Sequence, residues 1–320
     1  MGDLAHVQGG SVFAGFGVNI VPVMGKQRPA EEVQTDAALA RRLLVAEFPQ
    51  WAALPLTRVI ADSTDNDMYR LGDDMAVRLP RRASAVLPVD KEHEWLPRLA
   101  PLLPARVPLP LGKGEASEGY PHAWSVVRWI EGEPPAQQVN DPAFARDLAA
   151  FVKALHALDA SVGPEPGAHN FWRGVPLSAR DANMRKRCDW LADLPDIAAI
   201  TAAWDSALTL PAWDRAPVWI HGDLQRGNLL IRDGRLAGVL DWSALGVGDP
   251  AGDLSVAWSL FGAAARTAYR AALNVDDDTW ARGRAWALIE GVLALSYYRG
   301  KNDAIAEAGR RVIDVVLDEA

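Results

Sequence analysis

The sequence predicts an α+β protein of two lobes, in which a strand-rich N-terminal lobe precedes a mainly helical C-terminal lobe. The chain has 320 residues, which suffices for two domains at roughly 150 residues each. Short apolar runs separated by turn residues dominate its first part, and helical periodicity dominates the second. The polar stretch Glu131-Gly132-Glu133-Pro134-Pro135 between them has the composition of a linker.

These patterns divide the chain into three segments. We expect an N-terminal extension (1–30), an N-terminal nucleotide-binding lobe (31–130) and a C-terminal catalytic and substrate-binding lobe (131–320), with the binding cleft between the lobes. The extension is expected to be poorly ordered, because termini are seldom held unless something packs on them. Met24 is an alternative start to Met1.

Composition narrows the classes of function. Hydrophobic residues make up 49% and charged residues 23%, close to globular averages. A net charge of -8 argues against nucleic-acid binding, which needs a basic face, and favours cationic partners. The apolar segment Val12 to Met24 is too short to span a bilayer, so no membrane attachment is expected. Because the single Cys188 cannot form an intrachain disulfide, nothing requires an oxidising compartment, and we expect a cytoplasmic protein. We expect a monomer or a homodimer.

The N-terminal lobe is predicted to begin with a helix and to continue as a hairpin. From Asp36 to Phe48 apolar residues recur at helical spacing. Tyr69 to Leu71 and Met75 to Leu79 are predicted strands, joined by the turn Gly72-Asp73-Asp74. The alternation of a strand places Arg78 on the opposite face from the apolar side chains around it.

A second helix is predicted from Asp90 to Leu103. Pro97 is expected to kink or divide it, because proline removes a helical hydrogen bond. Glu92 shares the inward face of this helix with apolar residues three and four positions later, so we expect its carboxylate to be buried. A strand from Trp124 to Ile130 then leads into the linker.

The C-terminal lobe is predicted to contain four long helices. Asp141 and Pro142 supply the N-cap and first turn of one, whose apolar stripe runs from Phe144 to Leu155. His156 follows with apolar neighbours and no carboxylate partner in the pattern, so we expect a structural role. The other three are predicted at Ala263 to Leu273, Thr279 to Tyr298 and Asp303 to Leu317.

The chemistry of the chain is concentrated in a polar loop, His221 to Asn228, which reads HGDLQRGN and lies between two short apolar strands. A third strand, Leu236 to Leu240, delivers Asp241 at its C-terminal end. Hairpin geometry of this kind brings Asp223, Asn228 and Asp241 to one point.

These three side chains meet the needs of phosphoryl transfer from a nucleotide. Asn228 and Asp241 supply hard oxygen ligands of the kind that Mg²⁺ prefers. Asp223 would accept a hydrogen bond from the hydroxyl of the substrate and orient it. The sequence therefore predicts a kinase that uses ATP or GTP with Mg²⁺ to phosphorylate a small molecule.

The run HGDLQRGN, followed by VLDW, resembles the catalytic and metal-binding loops of the aminoglycoside phosphotransferase family, which is similar to the protein kinases. The resemblance implies a protein-kinase-like fold in which Asp223 is catalytic and Asn228 and Asp241 bind magnesium. It also implies that His221 packs beneath the loop. The run from Gly248 to Asp253 matches the family's GDPxxDL pattern, whose last Asp buttresses the catalytic loop.

The same resemblance assigns nucleotide contacts in the N-terminal lobe. Arg78 takes the place of the kinase lysine that contacts the α- and β-phosphates, and Glu92 takes the place of its helix partner. Arginine keeps the charge of lysine but not its point geometry. The glycine-rich phosphate loop of the kinases is replaced by the polar run from Ser63 to Asp67, which has hydroxyl and backbone donors. The resemblance also implies that the adenine hydrogen-bonds to the linker backbone. The remaining implied contacts are Ser63, Asn66, Arg128 and Ile130.

The acceptor stays open at this point. The resemblance implies an aminoglycoside or another antibiotic, and hence antibiotic resistance; the alternative is a metabolite kinase acting on choline, homoserine or fructosamines. Glu290 and Asp276-Asp277-Asp278 either attract amino groups of a substrate or form a solvated acidic face. A further alternative is a nucleotide-binding module without catalytic activity, which is suggested by Arg78 and by the missing glycine-rich loop. A magnesium-dependent hydrolase would need further carboxylates for a two-metal site.

Overall fold

The computed structural model of the protein describes residues 32–59 and 66–319. The predicted N-terminal extension (1–30), with both candidate start residues, therefore lies outside the described residues, and so does Ser63. Across those described ranges, no helix combines the length and the apolar character needed to cross a membrane.

The chain divides into two compact units. The N-terminal unit extends to Glu131, and the C-terminal unit begins at Gly132 and also takes in Leu102–Arg106. Gly132 adopts a φ of +153°, and a Cβ atom there would lie 3.0 Å from the carbonyl oxygen of Ile231. Only glycine tolerates both conditions, so the chain needs this residue as it enters the C-terminal unit.

A five-stranded antiparallel sheet with strand order β1-β2-β3-β5-β4 is the framework of the N-terminal unit. The predicted hairpin is confirmed, since β2 and β3 pair with Leu71 opposite Met75 around Gly72, whose φ is +58°. The elements of this unit are α1 (Ala37–Glu47), β1 (Leu56–Val59), β2 (Asn66–Leu71), β3 (Met75–Pro80), α2 (Leu87–Leu99), β4 (Pro110–Gly114) and β5 (Trp124–Arg128).

The first predicted helix is confirmed as α1. It begins where the sequence supplies a cap, because the carboxylate of Asp36 accepts the N–H of Leu39 at 2.7 Å. Its inward residues Leu43 and Leu44 are fully buried and join a hydrophobic core that includes Tyr69 of β2. The sheet and α1 therefore stabilise one another by apolar burial.

The second helix differs from its predicted bounds. It runs from Leu87 to Leu99 rather than from Asp90 to Leu103, and a short 3₁₀ turn, Ala100–Leu102, follows it. We predicted that Pro97 would kink or divide this helix. Pro97 does not divide it, because Pro97 lies in the last turn and α2 continues through it. A proline there removes one backbone donor close to the point where the helix ends anyway.

The described residues of the C-terminal unit form helices around two small antiparallel sheets, in which β6 pairs with β9 and β7 with β8. The strands are β6 (Val218–Ile220), β7 (Leu229–Arg232), β8 (Arg235–Val239) and β9 (Gly246–Gly248). The helices are α3 (Pro142–His156), α4 (Asp181–Trp190), α5 (Ile197–Leu208), α6 (Val256–Ser259), α7 (Ala263–Leu273), α8 (Asp277–Tyr298) and α9 (Asp303–Leu317).

Local caps explain where the long helices begin. Asp141 accepts the N–H of Ala143 at 2.8 Å at the start of α3, as predicted. Helices α7 and α9 have their predicted bounds, whereas α8 begins two residues earlier than predicted. The reason is that Asp276 is its cap and accepts the N–H of Thr279 at 2.7 Å. Asp276 thus caps a helix, and the run Asp276-Asp277-Asp278 is exposed, in agreement with the alternative of a solvated acidic face.

Helix α8 runs through the core of the C-terminal unit, and its side chain Trp286 is fully buried. Two glycines let α8 and α9 approach closely. A Cβ atom on Gly291 would lie 2.9 Å from the carbonyl oxygen of Gly309, and one on Gly309 would lie 2.7 Å from that of Gly291. Neither position leaves room for a methyl group without a shift of one helix.

Replacing Gly291 by alanine is therefore expected to destabilise the protein. Alanine is the better helix former by about 1 kcal/mol, but overpacking against a backbone typically costs about 1–3 kcal/mol. We expect a lower midpoint in thermal and urea unfolding. Gly252→Ala is the matched control, because a Cβ atom there meets nothing within 4 Å. Equal midpoints for the two variants would contradict the close helix contact.

Candidate active site

The polar loop joins β6 to β7 and is organised by the buried imidazole of His221. Its Nε2 lies 3.0 Å from the carbonyl oxygen of Leu240, and its Nδ1 lies 3.2 Å from the backbone N–H of Asp223. A carbonyl only accepts and an N–H only donates, so these partners assign the neutral tautomer with its proton on Nε2. His221 therefore fixes the backbone of Asp223, in agreement with the structural role implied for it.

The carboxylate of Asp253 is fully buried beneath the same loop. It accepts the backbone N–H of His221 at 3.0 Å and that of Gly222 at 2.7 Å. Burial opposes its ionisation, but His156, His221 and the Gly222 N–H outweigh burial and hold the pKa of Asp253 below its usual value. The last Asp of the GDPxxDL run thus supports the loop through two main-chain hydrogen bonds.

The expectation that His156 lacks a carboxylate partner is wrong. Its Nε2 lies 3.1 Å from Oδ2 of Asp253, which is distant in sequence. Helix α3 ends at His156, and that position brings the ring to the buried carboxylate. The periodicity of α3 predicted which face of the helix points inward, but it did not predict which residues that face would contact. The role of His156 remains structural, since it supports Asp253.

The side chain of Asp223 is held by two amides. Gln225 donates from Nε2 to Oδ2 of Asp223 at 2.7 Å, and Asn228 donates from Nδ2 to the same oxygen at 3.0 Å. Asn228 also donates to the main-chain oxygen of Asp223 at 2.9 Å. Because the amide nitrogen of Asn228 is committed to Asp223, its Oδ1 is directed elsewhere and remains an acceptor.

The third predicted residue, Asp241, lies two residues after the end of β8. The N–H of Leu240, its chain neighbour, donates to the carbonyl oxygen of Asn228 at 2.7 Å, which ties the two segments together. Asp241 adopts a left-handed conformation with a φ of +56°, and its Oδ1 accepts the N–H of Ser243 at 3.2 Å. A non-glycine residue there costs energy that the surrounding structure must supply, a condition often met at functional sites.

Two further charged residues complete this site, and the sequence analysis missed both roles. Arg173 is almost fully buried; its Nη1 lies 2.9 Å from Oε1 of Glu290, and its Nη2 lies 3.7 Å from Oδ1 of Asp223. Arg173 follows two residues in the left-handed conformation, Phe171 and Trp172, in an irregular segment without a motif. No pattern in the sequence indicated it.

Glu290 lies on α8, and its side chain is only 14% exposed. The expectation of a solvated acidic face is therefore wrong for this residue. Burial raises its pKa, against the opposing effects of the Arg173 guanidinium and a hydrogen bond with Ser255. Its carboxylate is engaged with a cation of the protein itself, so it is not directed at an amino group of a substrate.

The electrostatic setting of Asp223 is unusual for a carboxylate. Burial raises its pKa to about 7, and the negative charges of Asp241 and Glu290 act in the same direction. The Arg173 guanidinium and the hydrogen bond from Gln225 oppose that rise. A group that titrates near neutral pH suits proton transfer in either direction.

The donor set around Asp223 fits a hard divalent cation. Asn228 offers an amide oxygen and Asp241 a carboxylate, both of which suit Mg²⁺. Within residues 32–59 and 66–319, no group of three or more His, Cys, Asp or Glu side chains could hold a metal ion by itself. Mg²⁺ typically takes one or two protein oxygens and completes its shell with phosphates and water.

In the N-terminal unit, Arg78 of β3 and Glu92 of α2 form a buried ion pair. Their Nη1 and Oε2 atoms are 2.6 Å apart, and the two residues are 8% and 1% exposed. The burial predicted for Glu92 is confirmed, and the strand-to-helix pair implied by the resemblance is present. A buried guanidinium persists only with such a partner, because desolvating an unpaired charge is costly.

The other predicted nucleotide contacts also belong to the N-terminal unit. Asn66 is the half-buried first residue of β2, opposite Pro80. Arg128 ends β5, and its N–H donates to the carbonyl oxygen of Leu109 at 2.8 Å. Ile130, two residues further, is 5% exposed. Their contacts with a nucleotide remain predictions.

Comparison with known proteins places the chain in context. A model of the phosphotransferase enzyme family matches residues 57–309. An aminoglycoside 3'-phosphotransferase of Streptomyces fradiae is 28% identical over 169 residues, which are 49% of this chain and 56% of that protein. The matches with curated relatives cover between 52% and 64% of the length of those proteins.

Solved structures share the fold. The GDP complex of wild-type aminoglycoside 2'-phosphotransferase-IIIa superposes with a TM-score of 0.69 at 18% identity, covering 89% of this chain and 100% of that chain. The apoenzyme of macrolide 2'-phosphotransferase MphH from Brachybacterium faecium gives a TM-score of 0.59 at 22% identity, covering 87% and 98%. The predicted α+β, protein-kinase-like fold is confirmed.

Replacing Asp253 by asparagine tests the buried carboxylate. Asparagine removes an acceptor from one of two buried N–H groups, so we expect a loss of about 1–3 kcal/mol in the free energy of unfolding at pH 7. Because the pKa of Asp253 is lowered in the folded state, its stabilisation is present above the unfolded pKa, about 3.9, and is lost as pH falls through the folded value.

The difference between wild type and Asp253→Asn should therefore shrink as urea titrations are carried from pH 7 towards pH 3. Asp318→Asn, at the end of α9, is the control for an ordinary surface carboxylate. A difference in unfolding free energy that stays constant with pH would contradict the role of the ionised carboxylate.

Proposed function

Because this chain belongs to the phosphotransferase enzyme family, we propose that it is a kinase that transfers the γ-phosphoryl group of ATP or GTP to a hydroxyl group of a small molecule. The observation that carries the proposal is the setting of Asp223. Two amides hold its Oδ2, burial brings its pKa to about 7, and the oxygen donors of Asn228 and Asp241 belong to the same site.

Asp223 would act on the acceptor. Its Oδ2 is occupied by Gln225 and Asn228, so Oδ1 is the oxygen to which the acceptor hydroxyl donates. As the bond between the hydroxyl oxygen and the γ-phosphorus forms, the bond from that phosphorus to the β–γ bridging oxygen breaks and the nucleoside diphosphate leaves. The proton of the hydroxyl passes to Asp223, and the rigid loop keeps this carboxylate aligned.

Asn228 and Asp241 would hold Mg²⁺, which when bound neutralises the charge of the phosphates. The hydrogen bonds from Nδ2 of Asn228 orient its Oδ1, and the N–H of Ser243 orients the carboxylate of Asp241. Both ligands are thus fixed before a nucleotide arrives, which lowers the entropic cost of assembling the site.

Nucleotide contacts are proposed for the N-terminal unit. The ion pair with Glu92 fixes the Arg78 guanidinium on β3, and Arg78 would contact the phosphates in the manner of the lysine of protein kinases. Ser63 and Asn66 would replace the glycine-rich loop with hydroxyl, amide and backbone donors. The carbonyl of Arg128 and the N–H of Ile130 would meet the purine.

Two classes of acceptor follow from different observations. Aminoglycosides are the acceptors named for curated relatives, and a role in antibiotic resistance would follow from them. A metabolite kinase is the second candidate, favoured because Arg173 neutralises Glu290, the carboxylate of this site that was expected to attract amines. Either acceptor class would be phosphorylated by the same loop.

Replacing Asp223 by asparagine keeps the shape of the side chain but removes the proton acceptor. We expect at least a 100-fold loss of phosphoryl transfer, about the usual contribution of a positioned base. The measurement is release of ADP or GDP with Mg²⁺ across aminoglycosides, tuberactinomycins, macrolides, amino sugars and hydroxylated metabolites.

The matched control for this variant is Asp233→Asn, which makes the same change in an exposed turn. Unchanged turnover in Asp223→Asn would contradict the proposal. Tight nucleotide binding by wild type without transfer to any acceptor or to water would instead favour a silent nucleotide-binding module.

The pH profile should show the ionisation of Asp223. The carboxylate must be ionised to accept the proton, so kcat/KM should fall by about tenfold per pH unit below about pH 7 and level off above it. Glu290→Gln removes a negative charge that raises this pKa, so the acid limb should move to lower pH. A limb that stays in place in Glu290→Gln would contradict this electrostatic assignment.

A further inference from the structure

Arg173, which contacts Asp223, has two further arginines close to it in the C-terminal unit. Arg173 reaches Asp223 at 3.7 Å, and the positive charges of Arg173 and Arg187 both act on Arg180. We call Arg173, Arg180 and Arg187 the arginine cluster. A cluster of like charges is unfavourable by itself, so its presence beside a reaction site calls for a counter-charge.

Arg173 and Arg180 of the arginine cluster meet on α8, whereas the guanidinium carbon of Arg187 lies 4.5 Å from the ring centroid of Trp190 on its own helix, α4. Arg180 immediately precedes α4, and Arg187 follows it by about two helical turns on the same face. The guanidinium carbons of Arg173 and Arg180 lie 5.4 Å and 5.9 Å from the ring centroid of Trp286 on α8. Trp286 thus serves as a shared platform that holds Arg180 next to the residue that contacts Asp223.

All three members of the arginine cluster leave buried donors without partners. Nε of Arg173, Nε of Arg180 and both Nε and Nη1 of Arg187 are buried and have no hydrogen-bond partner within the described part of the chain. Asp181, which follows Arg180, is engaged by Arg185 and by the indole of Trp204, and Asp189, two residues after Arg187, is exposed. Buried donors left unpaired cost free energy, which a bound acceptor would recover.

The charge on Arg180 is itself held at a cost. Burial, together with the like charges of Arg173 and Arg187, lowers its pKa to about 10. An anion placed against Arg180 would remove both penalties at once. Charge-assisted hydrogen bonds from guanidinium to an oxyanion are among the stronger polar contacts in proteins.

The carboxylate of this site that was expected to attract amines is already engaged. Glu290 pairs with Arg173 at 2.9 Å. The region beside Asp223 thus offers unpaired donors and a committed carboxylate. Its chemistry is complementary to an anion and not to an ammonium group.

We propose that the acceptor carries an oxyanion, either a carboxylate or a phosphate, which Arg180 and Arg187 bind while its hydroxyl meets Asp223. The inference rests on the proposed kinase function and specifies the class of its substrate. It replaces the expectation of a cationic acceptor that the net charge of the chain suggested. Arg173 would sit between the two ends of the acceptor, paired with Glu290.

The first experiment measures binding without turnover. D-Gluconate, D-glucitol and D-glucamine share one carbon skeleton and differ at one end as carboxylate, alcohol and ammonium, and glycerol 3-phosphate supplies the phosphate arm. Calorimetric titration of the full chain should show saturable binding of gluconate or of glycerol 3-phosphate, and at least tenfold weaker binding of glucitol and glucamine. Which of the two anions binds distinguishes the carboxylate from the phosphate.

Arg180→Gln and Arg187→Gln should each weaken that binding at least tenfold. Each substitution removes a charge whose buried donors are unpaired, so it breaks no hydrogen bond among the described residues and the variants are expected to fold. Thermal unfolding of each variant measures whether it is folded. Arg232→Gln is the control, since Arg232 is exposed and does not belong to the arginine cluster. The inference is overturned if neither anion binds, if glucamine or glucitol binds as well as the preferred anion, or if both cluster variants bind that anion as wild type does.

The second experiment separates this inference from the proposed function. Nucleotide turnover that depends on Asp223 and is fastest with an anionic acceptor supports both. Turnover that depends on Asp223 but is fastest with aminoglycosides or neutral polyols overturns the inference and leaves the kinase intact. Binding of an anion that is lost in Arg180→Gln, without turnover of nucleotide on any acceptor or water, supports the anion site and overturns the kinase.

Discussion

The buried carboxylate of Asp253 holds the loop on which the candidate site depends. It accepts the main-chain N–H groups of His221 and Gly222, and His156 completes its partners. Gly222 adopts a φ of +79°, and a Cβ atom there would lie 2.7 Å from the carbonyl oxygen of Ala244. The turn therefore needs both a glycine and a buried anion beneath it. Without them the backbone that carries Asp223 would lose its fixed direction.

The charged side chains of the site contact one another in series. Burial and the neighbouring carboxylates raise the pKa of Asp223, and Arg173 limits that rise. Glu290 in turn neutralises Arg173 at 2.9 Å. Arg173 also belongs to the arginine cluster, so one residue connects the carboxylate proposed to react with the region proposed to bind the acceptor. On these proposals, protonation of Asp223 and recognition of the acceptor would be electrostatically coupled.

Local signals predicted several helix starts and strands, because a cap or a turn needs only neighbouring residues. Asp36 and Asp141 begin helices where expected, and the hairpin around Gly72 forms as its alternation indicated. Prediction was less accurate where local rules compete. Pro97 did not divide α2, since it falls in the final turn, where one missing donor matters little.

The sequence by itself identified the loop from His221 to Asn228 as the candidate site, because Asp223 and Asn228 lie five residues apart in one short polar segment. Only the tertiary structure decided the setting of that loop. The pairs Arg173–Glu290 and His156–Asp253 join residues 117 and 97 positions apart, and no local pattern specifies such partners. Burial, which raises the pKa of Asp223 and leaves donors of Arg180 unpaired, is likewise a property of packing. Electrostatics at the site depends on distance in space, which the order of residues along the chain does not contain.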